Sequence, residues 1–257
     1  MAELRSDLGW STPDQVLVRG RDLAADVLGR RSFAWTTFLH LTGREPTAGQ
    51  EAVFDALLVT LLEHGLTPSA MVARLTHLGA PEALQGAVAA GLLGLGDVFG
   101  GSAEAVSAML REARADGGDD PADRVVASRR AARRPVPGIG HPVHDPVDPR
   151  AERLWALAAE HGLDGWYVQT MKQIGEAASR AIGRHLPVNA TGAIGALACE
   201  LDLPAGSERG LALIGRAAGL VGHVLEEQTT PIAREMWVRA EREVTQHALE
   251  EPPGGSA

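Results

Sequence analysis

Apolar residues recur at helical spacing along most of the chain. Between residues 48 and 62, for example, leucine and valine repeat every three to four positions, which is typical of a helix with one buried face. No run of β-branched residues alternates with polar ones as a strand would. The pattern therefore predicts an all-α protein. The predicted helices cover 22–28, 32–42, 48 to the break at 65, 70–78, 82–95, 103–115, 151–161, 166–185, 191–201, 207–228 and 231–250, and the arginine-rich segment after 120 is also helical in pattern.

Capping residues mark where several of these helices begin and end. Ser32 is a good N-cap for a helix that Gly43 closes. Thr47 and Thr67 precede two further helices, and Pro68 suits the first helical position. Outside the helices, 1–14 is predicted to be irregular, 16–20 to be a short extended or irregular piece, and the tail at 252–257 to be disordered.

The segment 137–150 interrupts the helical pattern. It contains several prolines and two glycines, which forbid a helix and fix the backbone. His141 follows a Gly-Ile-Gly turn, and Arg150 stands at the start of the next helix. A rigid loop of this kind is suited to directing side chains at a ligand.

Composition narrows the classes of partner. The chain has 257 residues and a net charge of −9, which argues against nucleic acid or an anionic membrane as the main partner. Cys199 is the only cysteine and lies in an apolar run, so we expect no disulfide and a buried thiol. No apolar stretch approaches the length of a membrane span and the N-terminus does not resemble a signal peptide, which favours a cytoplasmic protein.

The central loop could contribute to two kinds of site. His141, His144 and Asp145 are metal-ligand types, but two prolines are expected to hold them apart, so we predict no metal. The other kind is a receptor for a di- or tricarboxylate, which needs several converging cations. The candidates that lie next to helix breaks or in otherwise apolar helices are His64, His141, Arg150, Arg216 and Arg234.

Two of these arginine features have structural alternatives. Arg216 lies in an apolar helix and could form an ion pair with Glu226 or Glu227 instead of binding a ligand. The seven arginines between 111 and 134 fit either a solvated helix face or a phosphate contact.

The central loop also resembles a known family. Gly138-Ile139-Gly140-His141-Pro142-Val143 followed by Asp148-Pro149-Arg150 is similar to the citrate synthase superfamily, and in particular to its short citryl-CoA lyase-like branch. The resemblance implies an all-α, two-lobed homodimer that acts on a carboxylate and an acyl-CoA, with no bound cofactor. It implies that His141 contacts the reacting carbonyl or hydroxyl. It also implies that the carboxylate is bound by His64, Arg150, Arg216 and Arg234, the last lent across the dimer.

Two positions depart from the pattern of that family. Phe99 stands where the family has a histidine that donates to the thioester oxygen, and Thr191 stands where it has the aspartate that removes the acetyl proton. Asp97, two residues before Phe99, could substitute or could serve as a helix cap. The resemblance therefore leaves two hypotheses: an enzyme that makes or cleaves a carbon–carbon bond, and a non-catalytic carboxylate-binding relative. The lobes it implies are 1–101 with 190–257, and 102–189.

Overall fold

The computed structural model describes residues 4–141 and 144–250, with side chains as far as residue 247. The predicted tail at 252–257 lies outside the described residues. The described part is mostly helical, as predicted. Its α-helices are α1 (Phe33–Thr42), α2 (Ala48–Leu62), α3 (Pro68–Gly79), α4 (Leu84–Leu93), α5 (Ser102–Asp116), α6 (Pro121–Ala131), α7 (Pro149–Glu160), α8 (Trp166–Ile182), α9 (Ala190–Glu200), α10 (Ser207–Thr229) and α11 (Ala233–Glu250).

A small antiparallel sheet precedes the helices. It runs in the order β1 (Gly9–Ser11), β2 (Val16–Val18) and β3 (Arg21–Asp22). The extended piece at 16–20 is confirmed as β2, whereas the prediction of irregular structure over 1–14 is wrong for β1. Strands of two or three residues are too short to show the alternation on which strand prediction depends.

The predicted caps mostly hold. Ser32 accepts a hydrogen bond of 2.9 Å from the backbone of Trp35, and Gly43 ends α1 in the left-handed conformation. Thr67 occupies the N-cap position of α3 but makes no capping hydrogen bond. Residues 23–27 and 96–100 form π-helical turns, so the predicted loop after α4 is partly helical and α4 is shorter than predicted.

The chain forms two compact units. The first comprises the residues up to Leu61 together with Gly100–Ala212, and its centre is α9, in which every residue from 192 to 199 is buried. Helices α5, α7 and α8 pack around α9. The second comprises Leu62–Phe99 together with the chain from Leu213 onward, where α3 packs against α4 and α11. These units differ from the lobes implied by the resemblance, and the lobe assignment stays a prediction.

Among the described residues, none of the helices combines the length and the apolar character needed to cross a bilayer.

Candidate functional site

Asp148 organises the end of the central loop in the first unit. Its carboxylate accepts hydrogen bonds from Nε and Nη2 of Arg150, at 3.0 and 2.8 Å, and from the backbone N–H of Ala190, at 2.9 Å. Burial alone would raise the pKa of Asp148, but the Arg150 side chain and the backbone N–H groups of Ala190 and Arg150 outweigh it and lower the pKa to about 2. Asp148 thus fixes the Arg150 guanidinium relative to the first residue of α9.

The loop is joined to α9 by its backbone. Gly140 donates to the carbonyl of Pro187 at 2.7 Å, and Asn189 donates from its side chain to the carbonyl of Gly140 at 2.8 Å. Gly138 has a φ of 78°, and a Cβ added there would lie 2.6 Å from Cα of Gly192. A side chain at Gly138 would therefore push the loop away from α9.

His141 accepts a hydrogen bond at one ring nitrogen and lies beside Arg150 at the other. Its Nδ1 accepts a 3.0 Å hydrogen bond from the backbone N–H of His144, and its Nε2 lies 3.4 Å from Nη2 of Arg150. The shorter bond requires an unprotonated Nδ1, so a neutral ring carries its proton on Nε2, and the approach to Arg150 then joins two donors and is not a hydrogen bond. His141 and Arg150 are thus brought together, as the sequence predicted for two residues of one receptor.

The prolines do not hold His141 and His144 apart, so that reason for predicting no metal is wrong. The rings of His141 and His144 stack with centroids 4.3 Å apart, and ligand atoms of these two residues and Asp148 lie within 4.8 Å of one another. Asp145 is exposed and takes no part in this group. Asp148 is already bonded to Arg150, whose positive charge opposes a cation at the same place. The absence of a metal therefore stays a prediction, on different grounds.

Thr191 lies in the first turn of α9. Its hydroxyl donates a 2.7 Å hydrogen bond to Oδ1 of Asn189, the N-cap residue of that helix. Phe99 belongs to the π-helical turn Gly96–Gly100 and is 56% exposed. Neither side chain carries a group that could act as a strong base near neutral pH.

Arg216 is the buried cation of the second unit. It is only 8% exposed, and its Nε and Nη1 atoms are buried without a hydrogen-bond partner. Burial lowers the pKa of Arg216, while the nearby Glu63 carboxylate opposes that shift. The alternative pairing of Arg216 with Glu226 or Glu227 is wrong, because Arg74 pairs with both of these carboxylates.

Glu63 links Arg216 to the segment that contains His64. Its Oε1 atom accepts from the backbone N–H groups of His64, at 2.8 Å, and Gly65, at 2.5 Å. Its Oε2 atom lies 3.1 Å from Nε2 of His223. Burial would raise the pKa of Glu63, but the His64 N–H group, His223, the Gly65 N–H group and Arg216 together lower it.

The sequence analysis missed Arg74. It stands among apolar residues of α3 and is 2% exposed. A lone arginine in an apolar helix is the same signal that singles out Arg216, and it could have identified Arg74.

The five predicted carboxylate-binding residues divide between the two units. His141 and Arg150 belong to the first unit, and the second contains His64, Arg216 and Arg234. Arg234 is exposed in the first turn of α11. Convergence of all five on one ligand stays a prediction.

The arginine-rich segment has structural partners. Arg111 donates to the carbonyl of Leu203 at 2.7 Å, and Arg130 donates to that of Ala181 at 2.9 Å. Arg114 lies over the ring of Trp166. These contacts account for three of the seven arginines, and the choice between a solvated helix face and a phosphate contact stays a prediction.

A protein-family model and similar known sequences assign the chain to the same family. The family model described as citrate synthase, C-terminal domain, matches residues 19–236. A citrate synthase of Heyndrickxia coagulans is 30% identical over 74% of this chain. The chain spans about half or less of the length of the curated relatives it matches, namely 51% of the Heyndrickxia protein and 31% of a Deinococcus radiodurans citrate synthase.

Solved structures give the same result, and one of them has a similar length. The citryl-CoA lyase from Hydrogenobacter thermophilus is 32% identical, with a TM-score of 0.83 and 88% coverage of both chains. The ATP citrate lyase from Methanothrix soehngenii, solved in complex with citrate and coenzyme A, has a TM-score of 0.77 over 89% of this chain and 39% of its own, at 22% identity. The fold is therefore that of the citrate synthases and citryl-CoA lyases.

Proposed function

Because the chain belongs to the citrate synthase family, we propose that it binds a di- or tricarboxylate and forms or cleaves a carbon–carbon bond between that acid and an acyl group on coenzyme A. The observation that carries the proposal is Arg216. A buried guanidinium with two unpartnered nitrogens needs an anion. Glu63, whose carboxylate is near Arg216, already accepts from two backbone N–H groups. A ligand carboxylate would supply the missing acceptor.

The loop of the first unit supplies the groups for the reacting carbon. The Arg150 guanidinium, oriented by Asp148, would bind a carboxylate of the acid. His141, with its proton on Nε2, would donate a hydrogen bond to the oxygen of a 2-oxo acid. In synthesis that oxygen takes up a proton as the new carbon–carbon bond forms. His141 can give up its Nε2 proton only if Nδ1 is also protonated, and the ring is then left neutral with its proton on Nδ1.

Cleavage runs the same steps in reverse. The tertiary hydroxyl of the citryl thioester loses its proton, the carbon–carbon bond breaks, and its electron pair passes to the thioester as an enolate, whose carbon then takes up a proton. For His141 to accept the hydroxyl proton on Nε2, its ring proton must lie on Nδ1. The hydrogen bond from the backbone of His144 would then have to break.

The coenzyme A thioester would be a substrate, and no bound cofactor is needed for these steps. Phe99 and Thr191 offer no donor to the thioester oxygen and no base for the acetyl group. Synthesis from acetyl-CoA is therefore expected to be slow.

We also propose a homodimer, in which Arg234 is lent to the site of the partner subunit, as the family resemblance implies. The proposed lobes are 1–101 with 190–257, and 102–189, closing over the ligand. In this arrangement His64, Arg216 and Arg234 would meet His141 and Arg150.

A second candidate is a non-catalytic carboxylate-binding relative. The Thr191 hydroxyl favours it, because that hydroxyl is used in the cap of α9 at the position where the family has its base. Such a protein would bind citrate or oxaloacetate and leave citryl-CoA intact.

Calorimetric titration with citrate and oxaloacetate tests the common part of both candidates. Wild-type protein should bind at least one of them, and Arg216→Met should weaken binding by tenfold or more. Arg180→Met is the matched control, because Arg180 is exposed and pairs with Asp123 on the surface. Failure of the wild type to bind either acid would refute the proposal. If the wild type does bind, an assay of citryl-CoA cleavage separates the enzyme from the non-catalytic relative.

A further inference from the structure

Arg74 is the centre of a buried polar network in the second unit. Nearly inaccessible to solvent, it donates from Nη1 to Glu227 at 2.9 Å and from Nη2 to Glu226. Its Nε and Nη2 atoms also lie 3.2 and 3.0 Å from Nδ1 of His223. One guanidinium thus engages three side chains, where a simple ion pair would need one.

The first branch of the network leads to the start of α11. The Oε1 atom of Glu227 accepts from the backbone N–H groups of Ile232, at 2.9 Å, and Ala233, at 2.8 Å. Burial would raise the pKa of Glu227, but the Ala233 N–H group and the Arg74 side chain, among others, lower it. Arg74 therefore keeps in place the carboxylate that fixes the backbone immediately before Arg234.

The second branch leads to His64. Nδ1 of His223 accepts from Arg74, so the ring proton lies on Nε2. Nε2 lies 3.1 Å from Oε2 of Glu63, but the two atoms do not meet the geometry of a hydrogen bond. The other oxygen of Glu63 accepts from the N–H groups of His64 and Gly65. The ring of His223 therefore stands between Arg74 and the carboxylate that shapes the backbone at His64.

We propose that Arg74 is a positioning residue for ligand binding, which sets the backbone at His64 and at Arg234 simultaneously. The inference rests on the proposed function, because these two residues are carboxylate ligands only in that proposal. Arg74 itself touches no ligand. It acts through Glu227 and, by way of His223, through Glu63, and its loss releases two separate segments of the second unit.

Two variants test the proposal. Arg74→Lys keeps a positive charge but has one nitrogen, which cannot reach three partners at once. Arg74→Met combined with Glu227→Gln removes both buried charges and keeps a side-chain oxygen for the start of α11, so it supplies the comparison if the lysine variant does not fold. The matched controls are the single variant Arg111→Lys and the double variant Arg111→Met with Glu208→Gln. Arg111 and the fully buried Glu208 also form an ion pair between two helices, and neither contacts the predicted ligand-binding residues.

The first readout is amide hydrogen exchange followed by mass spectrometry. The Arg74 variants should exchange at least tenfold faster in peptides covering 63–66 and 231–236, and the Arg111 controls should not. The second readout is affinity for the acid that the wild type binds, citrate or oxaloacetate, which should fall about tenfold in the Arg74 variants only. If cleavage is observed, KM for citryl-CoA should rise more than kcat falls, because binding rather than chemistry is affected.

The outcomes separate the two proposals. Folded Arg74 variants with wild-type exchange and wild-type affinity for that acid would overturn the positioning role, and so would equal losses in the Arg111 controls. If the wild type binds neither citrate nor oxaloacetate, the proposed function fails, and the exchange measurement alone decides whether Arg74 holds the two segments.

Discussion

Replacing Asp148 with asparagine should destabilise the protein by about 2.5 kcal/mol at pH 7. The pKa of Asp148 is lowered from its ordinary value of 3.8 to about 2. A pKa difference of one unit corresponds to about 1.36 kcal/mol, so this difference corresponds to roughly 2.5 kcal/mol favouring the charged, folded form. Asparagine cannot carry that charge, and its amide group would present a donor to the guanidinium of Arg150. Citrate affinity should fall as well, because the orientation of Arg150 depends on this carboxylate.

The destabilisation should depend on pH in a defined window. A carboxylate whose pKa is depressed by folding contributes its full stabilisation above the unfolded pKa and loses it as the pH falls through the folded pKa. The contribution of Asp148 should therefore be complete at pH 5, roughly half as large at pH 3, and absent well below pH 2. Urea unfolding followed by circular dichroism, for wild type and variant at pH 7, 5 and 3, measures the difference directly.

Asp123→Asn is the matched control for Asp148→Asn. Asp123 also bonds an arginine, Arg180, but both side chains are more than half exposed. A surface pair of this kind is worth about 0–1 kcal/mol. The reasoning would be refuted if Asp148→Asn were as stable as wild type at pH 7, or if its destabilisation were the same at pH 3 as at pH 7.

Three further predictions follow from the site and the assembly. Wild-type protein should make negligible citrate from acetyl-CoA and oxaloacetate, and the double variant Phe99→His with Thr191→Asp should raise the rate. The missing donor and base together raise the activation free energy by at most about 5–9 kcal/mol if their effects are independent. Robust synthesis by the wild type in a coupled thiol-release assay would contradict this prediction. Sedimentation at micromolar concentration should show a dimer, and a stable monomer would remove Arg234 from the proposed site. Burial raises the pKa of Cys199 to about 11, so a thiol reagent at pH 8 should label it only after unfolding, and rapid labelling of the native protein would show an accessible thiolate.

The helices could be predicted because local signals set them. Ser32 and Gly43 bound α1 as expected, since a capping oxygen and a left-handed glycine act within one turn. The small sheet could not be predicted, because its stability comes from pairing between segments such as β1 and β2, not from a pattern within either.

The candidate site was predictable only in part. Motif similarity singled out His141 and Arg150, and the structure brings them together. The partners that hold ligand residues in place are set by tertiary contacts between distant helices. Arg74 lies about 150 positions from Glu226 and Glu227 along the chain, and no local spacing could have revealed that pairing.

The close approach of Gly138 and Gly192 limits how this protein can diversify. Adding a Cβ at Gly192 would place it 2.7 Å from the carbonyl oxygen of Gly138, just as one at Gly138 would meet the backbone of α9. New ligand preferences can arise by exchanging side chains around His141, but neither glycine can accept even a methyl group without separating the loop from α9. A methyl group at either position should yield a temperature-sensitive protein. Lineages that retain the loop should therefore vary around this pair and leave the pair itself unchanged.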